Sequence, residues 1–180
     1  MTNKWVSSLE DVTDYIEEPR LLDLLKYWSG KRAGRLAPSR QDIDPSEIGA
    51  LLSCIYLVDF EEPDVFRYRV AGTEIAENFG HGNLKGKTLG DILKPDVKDF
   101  VTRRWMPVIR DAAVVCMKGP VYNTVNRYAF GERLLLPLAD DPDGPLTGLL
   151  GVTVSRWMDT PGPEGRRNSD MIMIPASKLP

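Results

Sequence analysis

Tyr68-Arg69-Val70-Ala71-Gly72-Thr73-Glu74-Ile75, followed by Phe79-Gly80-His81-Gly82-Asn83-Leu84-Lys85-Gly86-Lys87-Thr88-Leu89-Gly90-Asp91-Ile92-Leu93, is the stretch from which the rest of the chain is most readily read. A strand-like run ends at Gly72. A short helix starts at Thr73 and stops at Gly80. A glycine-punctuated loop then leads to a second helical turn beginning near Thr88.

Upstream, residues 53–60 have β composition, and residues 66–70 alternate apolar side chains with arginine, as a strand with one covered face does. Glu61-Glu62-Pro63-Asp64 between them is a turn, so the two runs pair as a hairpin. Before the hairpin, Asp44-Pro45-Ser46-Glu47 is a helix start, with Asp44 as cap, Pro45 at the first position, Glu47 reaching back, and Ile43 and Ile48 as a staple. Pro19 begins an earlier helix striped by Leu21, Leu24, Leu25 and Trp28, for which Gly30 is the natural stop. Trp5, Leu9, Val12 and Ile16 fall on one face of a leading helix over residues 1–18.

Downstream, Val97, Phe100, Val101, Trp105, Val108, Ile109, Ala112 and Cys116 keep a 3.6-residue stripe for about five turns. Pro107 interrupts it, and the unbroken phase predicts a kink there rather than an end. Three strands follow, over residues 121–125, 133–139 and 146–154, the last two joined by a loop at 140–145. Pro137 places its strand at an edge or a bulge. From residue 158 to 180 the composition predicts a disordered tail, with Met171-Ile172-Met173-Ile174 as a small apolar patch.

The 180 residues suit one domain, and 42% hydrophobic content supplies a core. A net charge of −3 offers no basic surplus, so a nucleic-acid partner is not expected. No signal peptide and no run of the ~20 apolar residues of a membrane span are visible, which predicts a cytoplasmic protein with no membrane partner. Cys54 and Cys116 are the only cysteines and lie in apolar runs, which predicts buried thiols and neither a disulfide nor a metal site.

The resulting α+β order, two flanking helices, two strands, short helices, one long helix, then three strands, resembles the PAS fold: a five-stranded antiparallel sheet with helices inserted after the second strand. Phe66-Arg67-Tyr68-Arg69-Val70-Ala71-Gly72-Thr73 and Leu84-Lys85-Gly86-Lys87-Thr88-Leu89 resemble phrases of that fold. Tyr27-Trp28, Pro38-Ser39-Arg40, Asp42-Ile43-Asp44-Pro45 and Glu132-Arg133-Leu134-Leu135-Leu136-Pro137-Leu138 are similar to a family of small stand-alone bacterial PAS proteins. The resemblance covers residues 21–157, within a PAS-like domain drawn at 19–157. It implies a sensory or regulatory binding module without its own output domain, signalling through a regulatory protein partner. Flavin-adduct PAS domains carry an Asn-Cys-Arg-Phe phrase where this chain has Asn83-Leu84-Lys85-Gly86. Haem-binding ones place a histidine on the long helix, and here that helix has none. Neither a flavin adduct nor haem is therefore expected.

Tyr56, Tyr68, Arg69, Trp105 and Tyr122 are candidates to line a small-molecule pocket. His81, the single histidine, is a further candidate, set against the simpler reading of a loop residue between two glycines. Arg69 and Glu132 are placed to form a cross-sheet ion pair. Lys31, Arg32, Arg35 and Arg40 are a candidate phosphate or acidic-partner surface, set against a solvated helix exit. No nucleophile–base pair, Walker motif or dinucleotide fingerprint is present, so no catalytic residues and no enzyme activity are expected. The stripe Trp5, Leu9, Val12, Ile16 is the expected face of a homodimer. Two rivals to the sensory reading are an adaptor with a filled core on the same fold, and a small cone-shaped α+β isomerase or hydrolase.

Overall fold

The computed structural model describes residues 3–124, 127–142, 144–158 and 170–180. Chain order is β1 (Asn3–Trp5), α1 (Leu9–Tyr15), α2 (Pro19–Lys31), 3-10 turns at Arg40–Asp42 and Pro45–Leu51, β2 (Ile55–Glu61), β3 (Val65–Ala71), α3 (Thr73–Asn78), α4 (Leu89–Ile92), α5 (Pro95–Arg110), β4 (Ala113–Thr124), β5 (Arg127–Ala139), β6 (Leu146–Met158) and β7 (Asp170–Pro175), with a last 3-10 turn at Ala176–Lys178. The strands form one seven-stranded sheet in the order β1-β7-β4-β5-β6-β2-β3. The segment β4-β5-β6-β2-β3 is antiparallel throughout, as expected for the PAS-like sheet. β7 extends it antiparallel to β4, and β1 pairs parallel to β7, which makes the whole sheet mixed.

Helices cover both faces. On one face Val12, Ile16, Leu21, Leu24, Leu25 and Trp28 of α1 and α2 pack with Val114, Cys116, Leu134, Leu136, Leu150 and Ile174. On the other, Trp105 and Val108 of α5 and Ile75 and Leu89 of α3 and α4 pack with Tyr56, Phe66, Tyr68, Val115, Leu135 and Met173. Alternate residues of β4 and β5 therefore enter opposite cores, as the two-residue period of a strand dictates.

Local signals placed several ends correctly. Pro19 opens α2, and Glu18 caps it by accepting from Arg20 N. Thr88 caps α4 in a reciprocal box with Asp91. Asp44 caps the turn Pro45–Leu51 by accepting from Ser46 N, although the segment is 3-10, and Glu47 pairs with Lys31 instead of reaching back.

Four expectations are corrected. Trp5 lies on a strand, not a helix, and Val12 and Ile16 are buried in this chain's own core. Gly30 lies inside α2; Ala33 and Gly34 take the left-handed conformation beyond its end. α5 ends at Arg110, one turn after Pro107, and Cys116 belongs to β4. Residues 170–180 are not a disordered tail, because Met171, Ile172, Met173 and Ile174 are buried as β7 between β1 and β4. The edge position expected of Pro137 is met locally: its strand is interior, but the β4 ladder stops at Leu135, and the Pro137 carbonyl accepts from Trp28 Nε1 at 2.9 Å. At that position the strand has a local edge, and no ladder bond is lost to the proline. The predicted strand end at Val125 and the apex residue Asp143 lie outside the described residues.

Candidate ligand site

Seven side chains from six elements meet between the sheet and α5. Tyr56 on β2 and Tyr68 on β3 stand 5.9 Å apart between ring centroids, and Tyr56 stacks on Trp105 of α5 at 5.8 Å and 15°. Trp105 also meets Phe66 edge-on at 5.4 Å. From the sheet comes Arg133 of β5, only 9% exposed, with its guanidinium carbon 6.0 Å from the Trp105 centroid and 5.6 Å from that of Tyr122 on β4. Cations favour such aromatic faces. Thr153 of β6 accepts from Arg133 Nε at 2.9 Å and lies 3.2 Å from the Tyr56 hydroxyl. Arg133 Nη2 also donates to the Val121 carbonyl at 3.4 Å.

Sheet register explains the assembly. Arg133 and Thr153 are directly opposite on β5 and β6, and Tyr56 opposes Gly151 on the neighbouring pair. A Cβ on Gly151 would lie 2.2 Å from Tyr56 Cε2, so the absence of a side chain there is what lets the ring lie flat on the sheet and reach Thr153. Tyr122 continues the aromatic wall to Phe79 after α3, at 5.2 Å and edge-on, and to Trp157 at 6.5 Å.

The electrostatics are uneven. Burial pushes the Tyr56 phenol up to about 12 and the Tyr68 phenol well above its ordinary value, and it raises Tyr122 against the lowering effect of Arg133. All three stay neutral at physiological pH and cannot balance the arginine. Burial works against the Arg133 charge, but a guanidinium keeps its proton in proteins, so the group remains a cation. Among the described residues no carboxylate pairs with it. Trp105 Nε1 is buried without a hydrogen-bond partner among them. Such groups are rare in folded proteins, because each forgoes its bond with water.

Tyr56, Tyr68, Trp105 and Tyr122 are thus brought together, whereas Arg69 is not. Its side chain is half exposed on the outer part of β3 and pairs with Asp59, not Glu132. Glu132 instead accepts from the backbone N–H of Glu17 and Glu18 at 3.1 and 3.2 Å, tying β5 to the start of α2. His81 is half-buried just beyond α3, and its backbone N–H closes on the Ala76 carbonyl. Sequence reading missed Arg133 and Thr153. The available signal was their two-residue spacing from Leu135 and Gly151, which puts both on a buried face.

The basic segment is consumed within the chain. Lys31 pairs with Glu47, Arg35 with Asp42, and Arg40 with both Asp59 and Asp140. Arg32 donates to the carbonyls of Leu179 and Pro180. Cys54 and Cys116 are buried free thiols.

The profile of the PAS domain family matches residues 16–153. This chain belongs to the PAS domain family. Two solved structures are similar at the level of fold. One, described as VqmA bound to DPO, is 15% identical with a TM-score of 0.46, covering 63% of this chain and 58% of that one. The other, a Vibrio cholerae VqmA dimer in the absence of target DNA, is 16% identical with a TM-score of 0.46, covering 66% of this chain and 53% of that one. The PAS chain therefore spans little more than half the length of either. No curated protein matches it at a significant level. Among the described residues, no helix is long and apolar enough to cross a membrane.

Proposed function

We propose that this PAS domain is a sensory or regulatory module that binds a small molecule between the sheet and helices α3 to α5, and that it signals through protein contacts without turnover of its own. The observation that carries this reading is Arg133: a buried cation walled by Trp105 and Tyr122, with no carboxylate partner among the described residues. A core built only for stability gains little from such a group, since an apolar residue of similar volume is often as stable or more so. The preceding residue, Glu132, faces the opposite core and holds the start of α2. Occupancy on one face of β5 therefore has a short route to the N-terminal helices on the other, which would present the signal to a regulatory partner or a second copy of the chain.

Native mass spectrometry of the purified protein, with an absorption scan, tests this. The expected result is a colourless protein that retains or takes up a small molecule. A haem or flavin spectrum that survives gel filtration would refute the colourless expectation. Activity that tracks the protein and disappears on substitution of a site residue would refute the absence of turnover. The adaptor reading has one observation in its favour, the close packing of Tyr56 on Gly151 and Trp105. It predicts partner capture unaffected by any small molecule.

A further inference from the structure

The same site contains donors in excess of acceptors. Arg133 presents a guanidinium whose partners among the described residues are the Thr153 hydroxyl, the Val121 carbonyl and the Tyr122 phenol, all neutral. Trp105 adds a buried indole N–H with no acceptor among the described residues. An indole nitrogen can only donate, and a guanidinium has five donors and no acceptor. The walls around them, Tyr56, Tyr68, Phe66 and Tyr122, are aromatic faces. A ligand that satisfies this surrounding needs acceptor oxygens with negative charge at one end and a flat apolar body at the other.

Resting on the binding role proposed above, we infer that the ligand is a small monocarboxylate on a planar or apolar body, its carboxylate held by Arg133. A guanidinium matches a carboxylate with two parallel N–H···O bonds, and charge-assisted bonds of this kind are the strong ones. A neutral ligand would leave the buried charge unbalanced. A cationic one would meet it directly. The site is thereby selective by charge as well as by shape.

The test uses matched pairs on the unmodified full chain: benzoate against benzamide, phenylacetate against phenylacetamide, and benzylamine as the cation. Binding is followed by NMR titration of the Trp105 indole N–H, assigned with the Trp105→Phe variant. The expected result is that each carboxylate binds at least about tenfold more tightly than its amide, a difference of about 1.4 kcal/mol. The Trp105 signal should move with it, and benzylamine should not bind. In Arg133→Gln the carboxylate preference should vanish. If amide or amine moves the Trp105 signal as readily as carboxylate, the site binds small molecules but the carboxylate assignment is wrong. If no compound moves it, the small-molecule role of the site itself fails. If the preference persists in Arg133→Gln, Arg133 is not the anchor. The wild-type series decides the ligand class even where that variant does not fold.

Discussion

Replacing Gly151 by alanine adds one methyl group directly beneath the Tyr56 ring. The new carbon would stand 2.2 Å from Cε2, 2.3 Å from Cζ and 2.7 Å from the hydroxyl oxygen. Carbon atoms settle at about 3.5–4.0 Å, so the ring must retreat by more than about 1 Å. It has nowhere to go without loss. Tyr56 is 2% exposed, stacked on Trp105 and within 3.2 Å of Thr153 Oγ1. Overpacking of this kind costs about 1–3 kcal/mol. Alanine also narrows the unfolded ensemble, which returns about 0.4–1 kcal/mol. The net loss is about 1–2 kcal/mol, or a fall in Tm of about 2–8 °C for a chain of this size.

Calorimetry of Gly151→Ala beside Gly30→Ala makes the comparison sharp. Gly30 lies within α2 and a Cβ there meets nothing within 4 Å, so the same substitution should stabilise by about 0.5–1 kcal/mol. In a Tyr56→Leu background the cost of Gly151→Ala should fall by at least about 1 kcal/mol, because the two residues are in contact. A Gly151→Ala variant as stable as wild type would refute the packing argument. An equal cost with and without the tyrosine would place the strain elsewhere.

Glu132→Gln should destabilise by about 1–2 kcal/mol in urea titration, since it removes the charge from a carboxylate that accepts from the N–H groups of Glu17 and Glu18; an unchanged midpoint would show that the tie from β5 to α2 is without consequence. Stability should fall as pH drops below about 4: hydrogen bonds from Ser8 and Ser39 side chains lower the carboxyl pKa of Asp11 and Asp42, and the Thr88 backbone lowers that of Asp91. Their contribution is complete above the ordinary value of 3.8 and is lost as pH passes down through the lower folded values, so a urea midpoint that held or rose on acidification to pH 3 would contradict it. Deleting residues 170–180 should abolish cooperative unfolding in circular dichroism, because it removes β7 from between β1 and β4; a sharp, near-native transition would return this segment to the status of a dispensable tail.

The hairpin of β2 and β3, the cap at Thr88 and the opening of α2 were legible because each rests on a few adjacent residues with strong local preferences. The start of β4 was not. Val114 and Cys116 enter one core while Ala113, Val115 and Met117 enter the other, so the run is apolar at every position. A strand covered on both faces loses its two-residue alternation. Ala112 and Cys116 then happened to continue the helical stripe of α5. Ala112 is where the chain turns, with φ of 48°, and nothing in its neighbours announces that. β7 was hidden for the same reason in shorter form: four buried residues facing two cores carry no period at all, and the partners that order them are more than fifty residues away on β4.

Arg133 was the hardest residue to read, because its meaning lies wholly in its surroundings. In the run Glu132-Arg133-Leu134-Leu135-Leu136, two opposite charges side by side suggest a solvated strand end. The fold separates them by one step of the pleat. Glu132 goes to the α2 side, where backbone N–H groups receive it, and Arg133 to the α5 side, where its partners among the described residues are neutral hydroxyls, a carbonyl and aromatic rings. The two charges point away from each other on opposite faces of β5, and among the described residues only one of them has a charged partner: Lys118 stands 3.5 Å from Glu132. That asymmetry exists only once β6 and β2 have brought Thr153 and Tyr56 alongside. It is a property of the assembled sheet, and it is the observation on which the proposed anion site rests.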